Sequence, residues 1–143
     1  LKSDFEILDD WEDRYRHVIE LGKTLAPLPE AAHTSANKVR GCASQVWIVS
    51  HRSGGDGNPV LTFDGDSDAL IVKGLIAIAF MIYSGKTARE IVATDARPIL
   101  KELGLADHLT QQRSNGFASM IERMKADAQR AIQDPARGGI AGR

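Results

Sequence analysis

The chain has 143 residues, 43% of them hydrophobic and 26% charged, the balance of one ordinary globular domain rather than of a disordered or membrane-embedded chain. Its 18 Lys and Arg nearly cancel 19 Asp and Glu, for a formal net charge of −1, which withholds the broad positive field that nucleic-acid binders use to collect phosphates. A single cysteine excludes an internal disulfide, and Leu1 opens no secretory signal, so the expectation is a cytoplasmic protein.

The segment "SDFE", Ser3 to Glu6, has capping-box spacing and predicts a helix start. A second start at Asp10 precedes Trp11, Tyr15, Val18, Gly22 and Leu25, whose spacing of three and four predicts one helical stripe with Trp11 as a core anchor. Pro27 and Pro29 end it, because they lack the backbone N–H. Two strands are expected around the cysteine. Asn37 to Arg40 is one, and Gln45 to His51, with its run Val46, Trp47, Ile48, Val49, is the other and is expected to be covered on both faces. That places Cys42 at the tip of their connection. "SGGDGNP", Ser53 to Pro59, reads as a turn into a third strand over Val60 to Asp64.

"DGDSD" then opens a helix, with Asp66 or Ser67 as cap and Asp68 in the first turn, where negative charge favours the helix dipole. Ala69 to Tyr83 is apolar nearly all round, the mark of a buried central helix. Lys73 interrupts it, and it falls short of the ~20 apolar residues of a membrane span. Gly85 closes it, and Thr87 with Glu90 forms a second capping box. A short helix over Pro98 to Leu103 ends at Gly104. From about Ser114 a long helix places Phe117, Met120, Ile121, Met124, Ala128 and Ala131 on one core face. This order predicts a single α+β domain over residues 1–134, a small antiparallel sheet of about three strands packed on a helical layer. Residues 135–143 hold too little apolar surface to order themselves and are expected to form a disordered tail.

Metal binding finds no support, because Cys42, His17, His33, His51 and His108 show none of the short spacings of zinc ligands. "SGKT", Ser84 to Thr87, lacks the earlier glycine of a phosphate-binding loop and follows a helix rather than a strand. The informative stretch is "VRGCASQVWIV". Free cysteines are usually buried and inert, but Gly41 suggests a positive-φ backbone, and small Ala43 and Ser44 let a loop present the thiol. Lys38 and Arg40 are near enough in sequence to favour the thiolate. No motif sets a histidine against the sulfur, as a cysteine hydrolase requires.

"GCASQVW" resembles the GCxSQVW signature of the SufE family of sulfur-acceptor proteins in iron–sulfur cluster assembly. "WEDRYRHVIELG", "GDSDALIVKGLIAI", "DARP" and "HLTQQRSNGFASMI" resemble the same family in the same order, and together they span most of the chain from Trp11 to about Ala128. The resemblance implies that Cys42 accepts persulfide sulfur from a cysteine desulfurase, stimulates that enzyme, and passes the sulfur to an iron–sulfur cluster scaffold complex. It implies a sulfur-transfer partner with a cysteine persulfide intermediate rather than a stand-alone enzyme. By the same resemblance Gly41, Ser44, Gln45, Asp68 and Arg113 belong to the docking surface or lie near the sulfur. No cofactor or metal is expected on this chain, since pyridoxal phosphate belongs to the desulfurase. Neither nucleic acid nor membrane is an expected partner, and the chain is expected as a monomer or weak homodimer. The alternative is a binding module that regulates the desulfurase without carrying sulfur.

Overall fold

The computed structural model of the chain describes residues 4–5, 7–8, 10–54 and 57–133. The expected cap at Ser3 and Glu6, the middle of the Ser53 to Pro59 turn and the tail from residue 134 lie outside them. Helix α1 (Trp11–Gly22) starts where Asp10 Oδ1 accepts the Glu12 N–H at 3.0 Å, a side-chain cap on an otherwise unpaired helix donor. It ends before Pro27. Strands β1 (Val46–Ser53) and β2 (Val60–Ser67) form an antiparallel hairpin, followed by α2 (Leu70–Tyr83), the two-residue β3 (Lys86–Thr87) and α3 (Ala88–Ala93). A short α4 (Ile99–Glu102), a 3₁₀ turn over Ala106–His108 and the long α5 (Gln111–Gln133) complete the chain. The sheet order is β1-β2-β3, antiparallel throughout, so the domain is α+β as expected. No helix among the described residues is long and apolar enough to cross a membrane.

The third strand is not the expected one. Asn37 to Arg40 does run antiparallel to β1, through Val39 N–H to Val46 O and Ile48 N–H to Asn37 O, both 2.8 Å. It makes only one isolated bridge, Lys38 to Trp47, because the Lys38 N–H turns back to Thr34 O at 3.0 Å. The loop holding Cys42 still connects two paired segments. Strand β1 is also buried on one face only: Val46 and Ile48 are in the core, while Trp47 and Val49 are half-covered. Strand β2 runs through "DGDS", since Asp66 pairs with Trp47 and Ser67 with Val46. Helix α2 therefore begins later, and Asp68 is not in its first turn. Ser67 Oγ instead accepts the Ala69 N–H at 3.2 Å.

Ten of the fourteen residues of α2 are buried, so neighbours must cover it on nearly every side. Against α1 the backbones nearly touch: a Cβ built on Gly74 would lie 2.1 Å from Val18 O, and one on Gly22 would lie 2.7 Å from Gly74 N. Against β2, a Cβ on Gly65 would fall 2.9 Å from the Phe80 ring. Burial of α1 begins only at Val18. Trp11, two turns earlier, is 44% exposed and is not the expected core anchor. It stacks on His108, rings 5.1 Å apart at 7°.

Downstream the caps agree with expectation. Thr87 Oγ1 accepts the Glu90 N–H at 3.3 Å and Glu90 Oε1 accepts the Thr87 N–H at 3.0 Å. Gly85 and Gly104 take φ of +85° and +71°, which favour glycine. Helix α5 starts three residues before Ser114, and all six expected core residues on it are buried.

The helix contact at Gly74 yields a stability prediction. Gly74→Ala forces α1 away from α2 and costs about 1–3 kcal/mol or more. Ala at exposed Arg89 changes stability by less than about 0.5 kcal/mol. Urea unfolding followed by circular dichroism measures both.

Candidate functional site

The loop between Val39 and Val46 is held at both ends by side chains or backbone from elsewhere in the fold. At its start Gly41 has φ +89°, and a Cβ there would meet Ser119 Oγ at 2.6 Å. Only glycine fits both demands. At its end the Gln45 N–H donates to Asp68 Oδ1 at 3.1 Å, and the Asp68 N–H donates to Gln45 O at 3.4 Å. The carboxylate that seemed placed for a helix dipole thus clasps the loop.

Between these anchors Cys42 is half-buried and packs against the core. Its Sγ lies 3.5 Å from Gly116 O on α5. A Cβ built on Gly116 would stand 3.6 Å from Sγ, an ordinary van der Waals contact. The thiol opens into a cavity of about 220 Å³. Val72 and Leu75 of α2 and Met120 of α5 form its apolar walls, and Ala43, Ser44, Thr110, Gln112 and Arg113 its more polar lining. Arg113 Nη1 donates to Tyr15 Oη at 3.1 Å, tying the cavity lining to α1.

Burial pushes the Cys42 thiol above its ordinary pKa, because a thiolate loses more hydration than a thiol. Lys38 and Arg40 do not offset this. They line a separate recess with Ser35, Ser119 and Arg123, not the cavity into which Cys42 opens. Burial therefore favours the protonated thiol over the nucleophilic thiolate.

Among the described residues, no histidine lines the cavity. His33 Nε2 sits 2.7 Å from Asp66 Oδ2, and His51 Nε2 sits 2.9 Å from Asp64 Oδ2. The hydrogen bond to Asp66 raises the His33 pKa, which fits a structural tie beside Trp47. His17 packs edge-on against Phe5 and His108 stacks on Trp11. A cysteine–histidine hydrolytic pair is absent among the described residues. So is any group of three or more His, Cys, Asp or Glu placed to hold a metal.

The structure brings Gly41, Cys42, Ser44, Gln45 and Asp68 into one loop and its clasp, with Arg113 beside the same cavity. Sequence reasoning missed Thr110, Gln112, Gly116, Val72, Leu75 and Tyr15. Nothing in the sequence links Tyr15 to Arg113. Chemically, a lone sheltered thiol with no histidine lining its cavity among the described residues suits exchange at sulfur once it is exposed.

Residues 1–128 match the SufE family, described as an Fe-S metabolism associated domain. An uncharacterised SufE-like protein of Rhizobium meliloti is 57% identical over 127 residues, covering 89% of this chain and 91% of the relative. A second, from Rhizobium etli, is 57% identical over 126 residues, covering 88% and 85%. A solution structure of a hypothetical protein from Thermus thermophilus superposes with a TM-score of 0.73 at 17% identity over 92% of each chain, a likeness of fold. The family match begins at residue 1 and runs past every residue of the cysteine cavity, so the chain belongs to the SufE family and to iron–sulfur metabolism.

Proposed function

We propose that the chain is a sulfur carrier that takes sulfur on Cys42 from a cysteine desulfurase, stimulates that enzyme, and delivers the sulfur to an iron–sulfur cluster scaffold. The observation that carries this reading is the single thiol, half-buried over a partly enclosed cavity, on a loop with a glycine hinge at one end and one clasp at the other. In the transfer the Cys42 thiolate attacks the terminal sulfur of the partner's persulfide. The new Cys42–S bond forms as the donor's S–S bond breaks, and the donor cysteine leaves as a thiolate. The proton lost by Cys42 passes to solvent or to that leaving group. Sulfane sulfur changes owner and no external oxidant is needed.

The cavity serves both states of such a relay. In the free chain it keeps the thiol protonated, which protects it from oxidation and stray exchange. Docking draws the Gly41 to Ser44 loop outward, restores hydration to the sulfur and frees the thiolate. After loading, the cavity covers the persulfide until the acceptor binds. Arg113 beside it faces the anionic groups of the exchange, and Ser44, Gln45 and Asp68 lie on the surface that the desulfurase meets.

Cys42→Ser keeps the fold and ends sulfur acceptance, because the hydroxyl stays protonated at neutral pH. Circular dichroism and mass analysis for a gain of sulfur check this after incubation with desulfurase and cysteine. Full desulfurase stimulation by the variant would favour the regulatory module instead.

Iodoacetamide alkylates Cys42 slowly in the free chain, with a pH inflection above the ordinary thiol value of about 8.5. The rate rises several-fold when a catalytically inactive desulfurase is added. Asp68→Ala, which removes the acceptor for Gln45 N–H, raises the rate in the free chain while costing no more than about 1.5 kcal/mol of stability. A fast free-chain rate that neither change alters would show that the loop does not switch.

A further inference from the structure

Trp11 is a large exposed aromatic that the core does not use, and its neighbours lead to the cysteine cavity. His108, in the turn just before α5, stacks on its face. Tyr15 meets its edge, rings 6.0 Å apart at 87°. Tyr15 Oη then accepts the hydrogen bond from Arg113 Nη1 at 3.1 Å, the one side-chain hydrogen bond that Arg113 makes among the described residues. The chain of contacts leaves the start of α5 at His108, crosses α1 at Trp11 and Tyr15, and returns to α5 at Arg113.

An arginine at a cavity opening ordinarily samples many rotamers, and ordering it on an anion costs conformational entropy of up to about 2 kcal/mol. A single tether to a fixed phenol removes much of that freedom in advance. It occupies one of the five guanidinium donors and leaves the others for an incoming group. Preorganised donors aimed at developing charge are worth more than donors that must first be ordered.

We propose that Tyr15 is a positioning residue for sulfur transfer: its hydroxyl, with its ring set by the Trp11–His108 stack, holds the Arg113 guanidinium at the Cys42 cavity, where it faces the negative charge of the donor persulfide and its leaving thiolate. This rests on the carrier reading. Tyr15 touches no reacting atom and acts only through Arg113.

The test is a double-mutant cycle on the full chain, with desulfurase and cysteine as sulfur source and the initial rate of Cys42 loading as readout. Arg113→Ala lowers that rate about tenfold or more. Tyr15→Phe, which removes only the hydroxyl, lowers it about three- to tenfold, and does so by less than about twofold when Arg113 is already Ala. A purely structural tie would leave the two effects multiplicative. Side-chain ¹⁵N spectra of arginine supply a second readout, in which Tyr15→Phe removes the slow-exchanging Arg113 signal without moving the melting temperature by more than a few degrees. Should Tyr15→Phe fold poorly, Trp11→Ala, which frees the Tyr15 ring, takes its place in the cycle with the same expected non-additivity. Multiplicative effects, or wild-type loading in Tyr15→Phe or Arg113→Ala, overturn the role of Tyr15. A wild-type chain that is never loaded overturns the carrier reading itself.

Discussion

The rest of the structure depends on the burial of α2. Its sequence leaves almost no polar face, and an apolar helix in water must be covered by other elements to be stable. Helix α1 supplies one cover through the backbone approach at Gly74 and Val18. The β1-β2 hairpin supplies another, with Gly65 admitting the Phe80 ring, and α5 contributes Phe117, Met120 and Met124. The covering is incomplete in several places: Leu70 and Met81 are exposed, and recesses border α2 at Lys73 and at Ala77 and Phe80. At another, Val72, Leu75 and Met120 border a cavity that Cys42, Ala43 and Ser44 of the cysteine loop also line.

That gap makes shelter and reactivity compete at one atom. Apolar walls raise the thiol pKa and suppress the nucleophilic form, whereas exchange at sulfur needs the thiolate. A rigid loop would hold one condition permanently. The loop here combines a left-handed glycine with a two-hydrogen-bond clasp to Asp68, and each such bond contributes only about 1 kcal/mol net. A docking surface of ordinary size can release that much, which is what the proposed carrier role requires of the thiol in the free chain and in a complex.

The charged groups nearby are engaged elsewhere. Asp66 is bound by His33 and Lys73. Although burial alone would raise its pKa, these hydrogen bonds and the Lys73 charge hold it below the ordinary carboxylate value. Arg123 spans from Asp127 to Ile48 O and pins α5 to β1. Arg113 differs because its hydrogen bond goes to a neutral phenol, with no carboxylate partner among the described residues. Such a cation beside the cavity is suited to the anions of sulfur exchange.

Much of this was legible in the chain itself. The apolar run of α2, the caps at Asp10 and Thr87, the positive-φ glycines and the face of α5 all follow from local rules, in which neighbours three or four residues apart decide the outcome. The single cysteine in "GCASQVW" could also be singled out, because its flanking residues are small. Longer-range placements could not be read the same way. Asp68 looked like a first-turn acid until the β1-β2 register carried β2 further along the chain and turned the carboxylate to Gln45. Lys38 and Arg40 are close to Cys42 in sequence, yet they line a separate recess. Trp11 carried the right helical spacing for the core, yet it lies 44% exposed and stacked on His108 from a distant segment. Periodicity along the chain thus determined which surfaces are apolar, whereas contacts between residues as far apart as Tyr15 and Arg113 depend on how helices cross, and that is decided only when the whole core packs.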